Sequence, residues 1–442
     1  MESGRRTGRD VDPTQKGTPE AHMERVYYSL YDRLLSQESL TRAFQKVKAN
    51  KGKPGIDGQT VEEFAENLSA EVSMLVTELR NKSYRAQPVK RVTIAKEGGG
   101  VRELGIPTVR DRVVQQALLE ILQPIFDPAF HPSSYGYRPG RSAHDAIAKA
   151  ELFIRTYNLR HVVDMDLSRC FDTLNHELIL AGVRKRVVDG SVLGLVRQFL
   201  QSGVMTESGW QESEEGSPQG GVISPLLANI YLDVFDQEMM KRGHRIVRYA
   251  DDILILTRSK SAAENVLKEA SHYLEVVLKL TVNRQKTEVV HSDEGVKFLG
   301  VVIYTDSTRI REKKILGLKE KVKKMTRRTS PVNLEKVITD LNPVLRGFAN
   351  YFKVSNCDEV FRRLMQWIRR RLRAKQLKLW KTPQRLHRRL RQLGYKGKFQ
   401  KIEMNSWRNS ASPLASMALS NDHFRELGLF DMSRVRTATA SK

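Results

Sequence analysis

The sequence predicts an α+β fold, an antiparallel sheet with covering helices, followed by an all-helical and strongly basic arm. Three observations predict it. Short β-like runs alternate with helical periodicity through the centre of the chain. Two of those runs, HVVDMDL and IVRYADDILIL, carry aspartates where strands disfavour them. Beyond Thr308 the pattern turns almost wholly helical while the charge turns positive.

At 442 residues the chain exceeds the size at which a single core keeps growing, so several subdomains are expected. Hydrophobic residues make up 40% and charged residues 29%, and 15 prolines are too few for a disordered or repetitive chain. Cys170 and Cys357 stand far apart without metal-ligand spacing, which argues against a disulfide framework or a zinc site and fits a reducing cytoplasm. No run approaches the roughly 18 apolar residues of a membrane span, so no membrane partner is expected. The opening stretch, residues 1–26, has positive charge but no apolar segment of a signal peptide, and reads as a flexible leader.

The net charge of +24 is concentrated. Residues 311–400 hold 27 Lys or Arg against 6 Asp or Glu, which leaves 48 against 45 for everything else. Solubility is achieved with mixed signs; ninety residues of one sign repel each other and call for a polyanionic partner, nucleic acid before acidic membrane.

In chain order, helical spacing covers Tyr27 to about Asn50, and KGKPGIDG stops it; a second helix is expected over Val61 to Arg80. PVKRVTIAK and VRELGIP, joined by Glu97 and three glycines, read as a β-hairpin whose arms carry Lys96 and Arg102. Arg110 to Phe130 and Ala143 to Thr156 are helical, with the loop SSYGYRPGRS between them. HVVDMDL is a strand, Glu177 to Gln201 and Leu226 to Arg242 are helical, and IVRYADDILIL is a hairpin whose turn bears carboxylates. A helix over Ala262 to Leu278, a strand near Leu280 to Asn283 and another at VKFLGVVIY complete the layer.

Aspartates in strand interiors want a reason. Two-metal phosphoryl transfer supplies one, because carboxylates converging on a pair of Mg²⁺ ions activate an attacking hydroxyl and stabilise the leaving group. Magnesium takes oxygen ligands and commonly only one or two carboxylates beside substrate phosphates. Asp166, Asp251 and Asp252 are candidates. Alternation puts Asp164 on the same face as Asp166, so periodicity does not choose between them, and Asp is also common in plain turns.

The pairing of DLSRCFD (Asp166 to Asp172) with YADD (Tyr249 to Asp252) resembles the palm motifs of reverse transcriptases. KEGGGVRELGIPTVRDRVVQQAL, SSYGYRPGRSAHDAI, EEGSPQGGVISPLLANIYLD, VNRQKT and KFLG are similar, in order and spacing, to successive blocks of group II intron reverse transcriptases, closest to the short bacterial class C proteins. The resemblance runs from about Leu34 to Trp407. It implies a right-hand polymerase. Fingers and palm would occupy residues 81–307 behind N-terminal extension helices at 27–80. A basic thumb or maturase domain would follow at 308–392, and a small DNA-binding region with a tail at 393–442.

The resemblance also implies roles. Its ligand lies five residues before an aromatic, which selects Asp166 with Phe171 and leaves Asp164 structural. Asp166, Asp251 and Asp252, with the Leu167 backbone carbonyl, would hold two Mg²⁺ ions, for which Mn²⁺ can substitute. Phe171 would exclude a 2′-hydroxyl, Lys96 and Arg102 would grip the triphosphate, Gln219 would lie along the nucleotide, and Lys286 would stand near the leaving pyrophosphate. On the basic helix, Arg362, Arg363, Arg369, Arg370 and Arg373 surround an apolar stripe and are expected to meet nucleic acid. The partners implied are group II intron RNA, a template–primer duplex, dNTPs and a DNA target site, in a bacterial cytoplasm at the nucleoid. No Cys pairs or histidines of the nuclease domain of longer relatives follow, which implies primers borrowed from replication. Two alternatives remain at this point: a free-standing polymerase of DNA repair or phage defence, and a non-catalytic RNA-binding maturase, against which the intact aspartates argue.

Overall fold

The computed structural model describes residues 26–95, 101–206, 209–211, 215–217, 220–399 and 402–438, the side chains of Arg102 and Trp210 excepted. In chain order the helices α1 (Gln37–Ala49), α2 (Val61–Glu66) and α3 (Leu68–Arg80) lead to strands β1 (Val89–Ala95) and β2 (Val101–Ile106). Next come α4 (Val109–Phe126), α5 (Ala143–Arg155), β3 (His161–Met165), α6 (His176–Arg184), α7 (Gly190–Gln201), β4 (Val204–Thr206), β5 (Gly209–Gln211) and α8 (Ser224–Lys241). The hairpin β6 (Arg245–Tyr249) and β7 (Asp252–Thr257) precedes α9 (Lys260–His272), β8 (Glu288–His291), β9 (Val296–Phe298), β10 (Val301–Ile303) and β11 (Thr308–Ile310). The remainder is helical: α10 (Glu312–Met325), α11 (Leu334–Phe352), α12 (Asp358–Trp380), α13 (Pro383–Gln392), α14 (Pro413–Ala418) and α15 (Asn421–Glu426).

Four expectations change in detail, each for a local reason. The helix expected over Tyr27 to Asn50 starts only after Ser36, whose hydroxyl accepts from Ser39 N, while Tyr27 instead exchanges backbone bonds with Arg186 and Val188. The helix over Val61 to Arg80 opens at Asn67 (φ −110°, ψ 23°) into α2 and α3. Leu280 to Asn283 forms an isolated bridge between Val282 and Leu167 rather than a strand, and the adjoining strand is Glu288–His291. VKFLGVVIY is a hairpin, not one strand: Leu299 (φ 46°) and Gly300 (φ 83°) both adopt left-handed backbone, the conformation a two-residue turn requires.

The sheets set the architecture. β1 and β2 pair antiparallel from Lys90–Ile106 to Ala95–Val101, with β4 and β5 extending the order β2-β1-β4-β5. The central sheet runs β6-β7-β3-β8, antiparallel throughout, and a small sheet runs β11-β10-β9. Side chains alternate across the central sheet, as strands require. Val163, Met165, Ile246, Ile253 and Ile255 face a core shared with α1, α3, α4, α6, α7, α8 and α9. Val162, Val247, Leu254, Leu256 and Val290 face a second core shared with α5, the β9–β11 sheet and the basic helices. The central sheet is thus packed on both faces, and only its end, where β3 stops and β6 turns into β7, is left to carry chemistry.

Candidate active site

The β3–β7 register fixes the geometry. Met165 pairs with Ile253, so the next residues along, Asp166 and Asp252, leave the sheet side by side, and Asp251 occupies the β6–β7 turn next to them. Asp164, Asp166, Asp252 and Glu288 share one face by alternation, and four carboxyls in one place repel. Burial, with the charges of Asp251 and Asp166 adding, raises the Asp252 carboxyl to about 6. Burial, with Asp252, Glu288 and Asp166 adding, raises Asp164 to about 7, and Lys297 opposes the shift. Such crowding calls for positive charge.

Part of that need is met internally. Asp166 Oδ2 accepts from Asn283 Nδ2 at 2.9 Å and from Lys286 Nζ at 3.0 Å, and Asp166 N donates to Thr287 Oγ1 at 3.3 Å. With Asp166 turned to those partners, no three acid, imidazole or thiol side chains among the described residues are drawn together as a preformed metal site. Mg²⁺ commonly takes only one or two carboxylates and is completed by substrate phosphates, so its protein ligands need not converge beforehand. The donor set, all oxygen, suits a hard divalent cation. Asn283 N donates to Asp166 O and Ser168 N to Thr281 O, which makes Leu167 and Val282 a non-hydrogen-bonded pair whose carbonyls point away from each other.

Around the carboxylates the remaining residues fall unevenly. Phe171, half-buried against the first core, meets the exposed Tyr137 ring edge-on with centroids 6.3 Å apart. Arg102 lies in β2, its backbone paired with Ile94; Lys96 and Gln219 lie outside the described residues. Gly220, after Gln219, has φ 120° and approaches the fingers so closely that a Cβ there would meet Gly105 O at 2.4 Å. Gln115 Oε1 accepts from Val222 N at 2.7 Å and ties the same loop to α4. From the basic region, Tyr351 on α11 donates to Leu299 O at 2.8 Å and its carbonyl meets His144 Nε2 at 2.7 Å, which brings α11 against the β9–β10 turn. Sequence reasoning does not single out Asn283, Thr287 or Tyr351. Asn283 and Thr287 lie inside VNRQKT, three residues before and one after Lys286, and only the fold shows that they reach Asp166.

The arginines of α12 divide into two groups. Arg362 and Arg363 are exposed and pair with Glu359 one turn before them, at 2.5 and 2.7 Å. Arg369 is mostly buried, Nη2 2.6 Å from Asp431, while Arg373 donates to Leu419 O at 2.8 Å and to Asn421 Oδ1 at 3.2 Å. Arg370 stacks over Trp407 with its guanidinium 5.1 Å from the ring. These three arginines hold the segment after residue 402 onto α12, an arrangement that periodicity on one helix does not reveal. No helix among the described residues is long and apolar enough to cross a membrane.

Comparison with known proteins gives the family. The reverse transcriptase (RNA-dependent DNA polymerase) family matches residues 94–303, and the group II intron, maturase-specific domain matches residues 315–394. Protein YkfC of Escherichia coli K12 is 35% identical over 325 residues, 64% of this chain and 85% of that protein. The group II intron-encoded protein LtrA of Lactococcus lactis subsp. cremoris is 28% identical over 373 residues, 69% of this chain but 60% of its own length. The putative COX1/OXI3 intron 2 protein of Saccharomyces cerevisiae is 26% identical over 316 residues, 58% of this chain and 37% of its own length.

Proposed function

The chain belongs to the reverse transcriptases that carry a group II intron maturase-specific domain, and from this premise we propose that it copies intron RNA into DNA at the Asp166–Asp251–Asp252 site and assists splicing of that RNA. The observation that carries the reading is the β3–β7 register, which delivers Asp166 and Asp252 side by side at the open end of the sheet, with Asp251 in the adjoining turn.

The chemistry divides among the residues. Asp166, Asp251 and Asp252 bind a divalent metal, which we take to be a pair of Mg²⁺ ions replaceable by Mn²⁺; when bound, these lower the pKa of the primer 3′-hydroxyl and neutralise charge on the leaving pyrophosphate. The Leu167 carbonyl adds an uncharged oxygen to that set. Lys96 and Arg102 bind the triphosphate of the incoming dNTP, and Gln219 lies along the nucleotide. Lys286 moves from Asp166 to the pyrophosphate side. Phe171 packs under the sugar and rejects a 2′-hydroxyl. The fingers and palm span 81–307, the thumb or maturase domain 308–392 and a DNA-target-binding region with a tail 393–442, with the extension helices at 27–80; of the leader expected at 1–26, residues 1–25 lie outside the described residues. The exposed arginines Arg362 and Arg363, with the cations of α10 and α13, meet the template–primer duplex and intron RNA. A DNA target of this kind would have the protein act in the bacterial cytoplasm, at the nucleoid.

Primer extension by the purified chain on RNA and DNA templates tests the proposal. Divalent-metal-dependent synthesis is expected with the native chain and is expected to vanish in Asp251→Asn and Asp252→Asn while RNA binding persists. Synthesis retained in either variant would overturn the assignment of the site.

A further inference from the structure

On the opposite face of the central sheet, directly beneath the carboxylates, lies a polar cluster that none of these steps uses. Arg248 and Asp236 are both fully buried, Arg248 on β6 and Asp236 on α8. Arg248 Nε donates to both Asp236 oxygens at 2.9 and 2.8 Å, and Nη2 donates to Oδ2 at 2.6 Å. Its remaining nitrogen, Nη1, donates to Asn229 Oδ1 and to Ala250 O, each at 3.0 Å. A buried ion pair of this kind is commonly no more stabilising than apolar residues of the same volume, so stability alone is a weak reason for it.

The bond to Ala250 O indicates what the cluster holds. Ala250 begins the turn that bears Asp251 and Asp252, and its φ of 57° is a left-handed conformation that an L-residue keeps only where its surroundings impose it. The surroundings do so from two more directions. Tyr135 N donates to Arg248 O and Arg248 N to Ser133 O, each at 2.9 Å, which lays the 133–136 segment along β6. Asn229 Nδ2 donates to Gly136 O at 2.9 Å, and Gly136 lies so close that a Cβ on it would meet Ala250 N at 2.4 Å. Strand, helix and loop therefore meet at one peptide, immediately before the two aspartates.

We infer that Arg248, seated by Asp236 and Asn229, is the positioning residue that fixes the turn bearing Asp251 and Asp252 relative to Asp166. Its side chain is fully buried on the face opposite Asp166 and Asp252. It acts by holding the Ala250 peptide, so that the aspartates keep their separation from Asp166 without reorganising during the reaction. The inference rests on the polymerase reading of the site and adds to it the reason for the polar cluster below.

Two variants of the full chain test it. Asn229→Ala keeps the ion pair and cuts the ties to Arg248 Nη1 and Gly136. The double variant R248M/D236L removes the pair without stranding a buried charge. Each is expected to melt near the native temperature and to bind template–primer normally with an unchanged KM for dNTP. Each is also expected to lose about ten- to a hundredfold in kcat, the scale of a sub-ångström to ångström misplacement. Mn²⁺ binding to the enzyme–template–primer complex, read by electron paramagnetic resonance, should weaken in parallel. Folded variants with native kcat and native Mn²⁺ affinity would overturn the positioning role. Loss of folding in Asn229→Ala would assign the cluster to stability and overturn it equally, and if only the double variant unfolds, Asn229→Ala decides alone. Asp252→Asn in the same assay separates the two readings: if it remains active, the polymerase site is misassigned, whereas if it is dead while the other variants are normal, only the bracing falls.

Discussion

Lys286 Nζ stands 3.0 Å from Asp166 Oδ2, the oxygen that also accepts from Asn283. On the proposed assignment this ammonium supplies part of the positive charge that a metal would bring to Asp166, and it would be displaced when metal and nucleotide bind. Lys286→Met is therefore expected to bind Mn²⁺ more tightly than the native chain in the absence of dNTP, because a competing cation is gone. Its kcat should fall by about a hundredfold through loss of the donor at the leaving group. Titration of Mn²⁺ without nucleotide, beside single-turnover extension, reads both. Unchanged metal affinity would show that the Lys286–Asp166 pair does not compete with the metal.

Phe171 meets Tyr137 edge-on, and Tyr137 itself carries a left-handed backbone (φ 57°) in the SSYGYRPG loop. The ring proposed to face the sugar is thus buttressed from one side by an aromatic edge, an arrangement worth about 0.5–1.5 kcal/mol beyond burial. Phe171→Ala should raise ribonucleotide incorporation relative to deoxyribonucleotide, and Tyr137→Ala should do so more weakly by loosening the ring. Incorporation ratios measured with each pair of triphosphates check both. An unchanged ratio in Phe171→Ala would remove it as the sugar gate.

These two sites show what is legible in the sequence and what is not. Strand periodicity places HVVDMDL and the two arms of IVRYADDILIL, and the family's spacing chooses Asp166 over Asp164, because local pattern and motif order are properties of the linear chain. Register is not such a property. That Asp166 stands beside Asp252, that Asn283 reaches back to Asp166, and that Arg248 points beneath the turn all depend on which strands pair and in what alignment. The run VKFLGVVIY reads by pattern as one strand where the fold makes the hairpin β9–β10, and β11 escapes the reading, because three-residue runs have too few side chains to show alternation. The arginines of α12 illustrate the same limit. Helical spacing sorts them from the apolar stripe but does not say that Asp431, some sixty residues on, claims one of them.

That division of the arginines separates two outcomes usually merged in a basic patch. Arg369 pairs with Asp431 in a mostly buried site, so Arg369→Ala should destabilise the chain by about 1–3 kcal/mol, since it leaves the Asp431 carboxylate with only Arg434, 3.9 Å away, as a cation. The salt dependence of RNA binding should hardly change in that variant. Arg362 and Arg363 are exposed, and replacing both by Gln, which gives up only their two surface pairs with Glu359, should cost no more than about 1 kcal/mol. The slope of log affinity against log salt should then fall by roughly one for each phosphate that is no longer neutralised. Denaturant melts paired with binding across a salt series distinguish the roles. A flattened slope in Arg369→Ala with native stability would reverse the assignment.

Asp164 yields a pH prediction of definite sign. Burial, with the neighbouring carboxyls Asp252, Glu288 and Asp166 on the shared face adding and Lys297 opposing, raises its carboxyl from 3.8 to about 7. The folded chain therefore holds a proton on Asp164 that the unfolded chain releases, so between those two values folding takes up protons and stability falls as pH rises. Asp252, raised to about 6, adds in the same direction. In chelator-treated protein the native chain should lose stability between about pH 5 and about pH 8 by more than Asp164→Asn does, the difference being on the order of 2 kcal/mol. The Asn variant keeps the shape of the side chain without the charge, so it should be the more stable of the two at the alkaline end. Added Mg²⁺ should narrow the gap, because a cation held by the proposed aspartates would relieve the repulsion that reaches Asp164. Synthesis should survive in Asp164→Asn, as expected of a residue outside the metal's ligand set. Parallel pH profiles of the two chains without metal would show that Asp164 is ionised at neutral pH and that the carboxylate face is less crowded than its geometry implies.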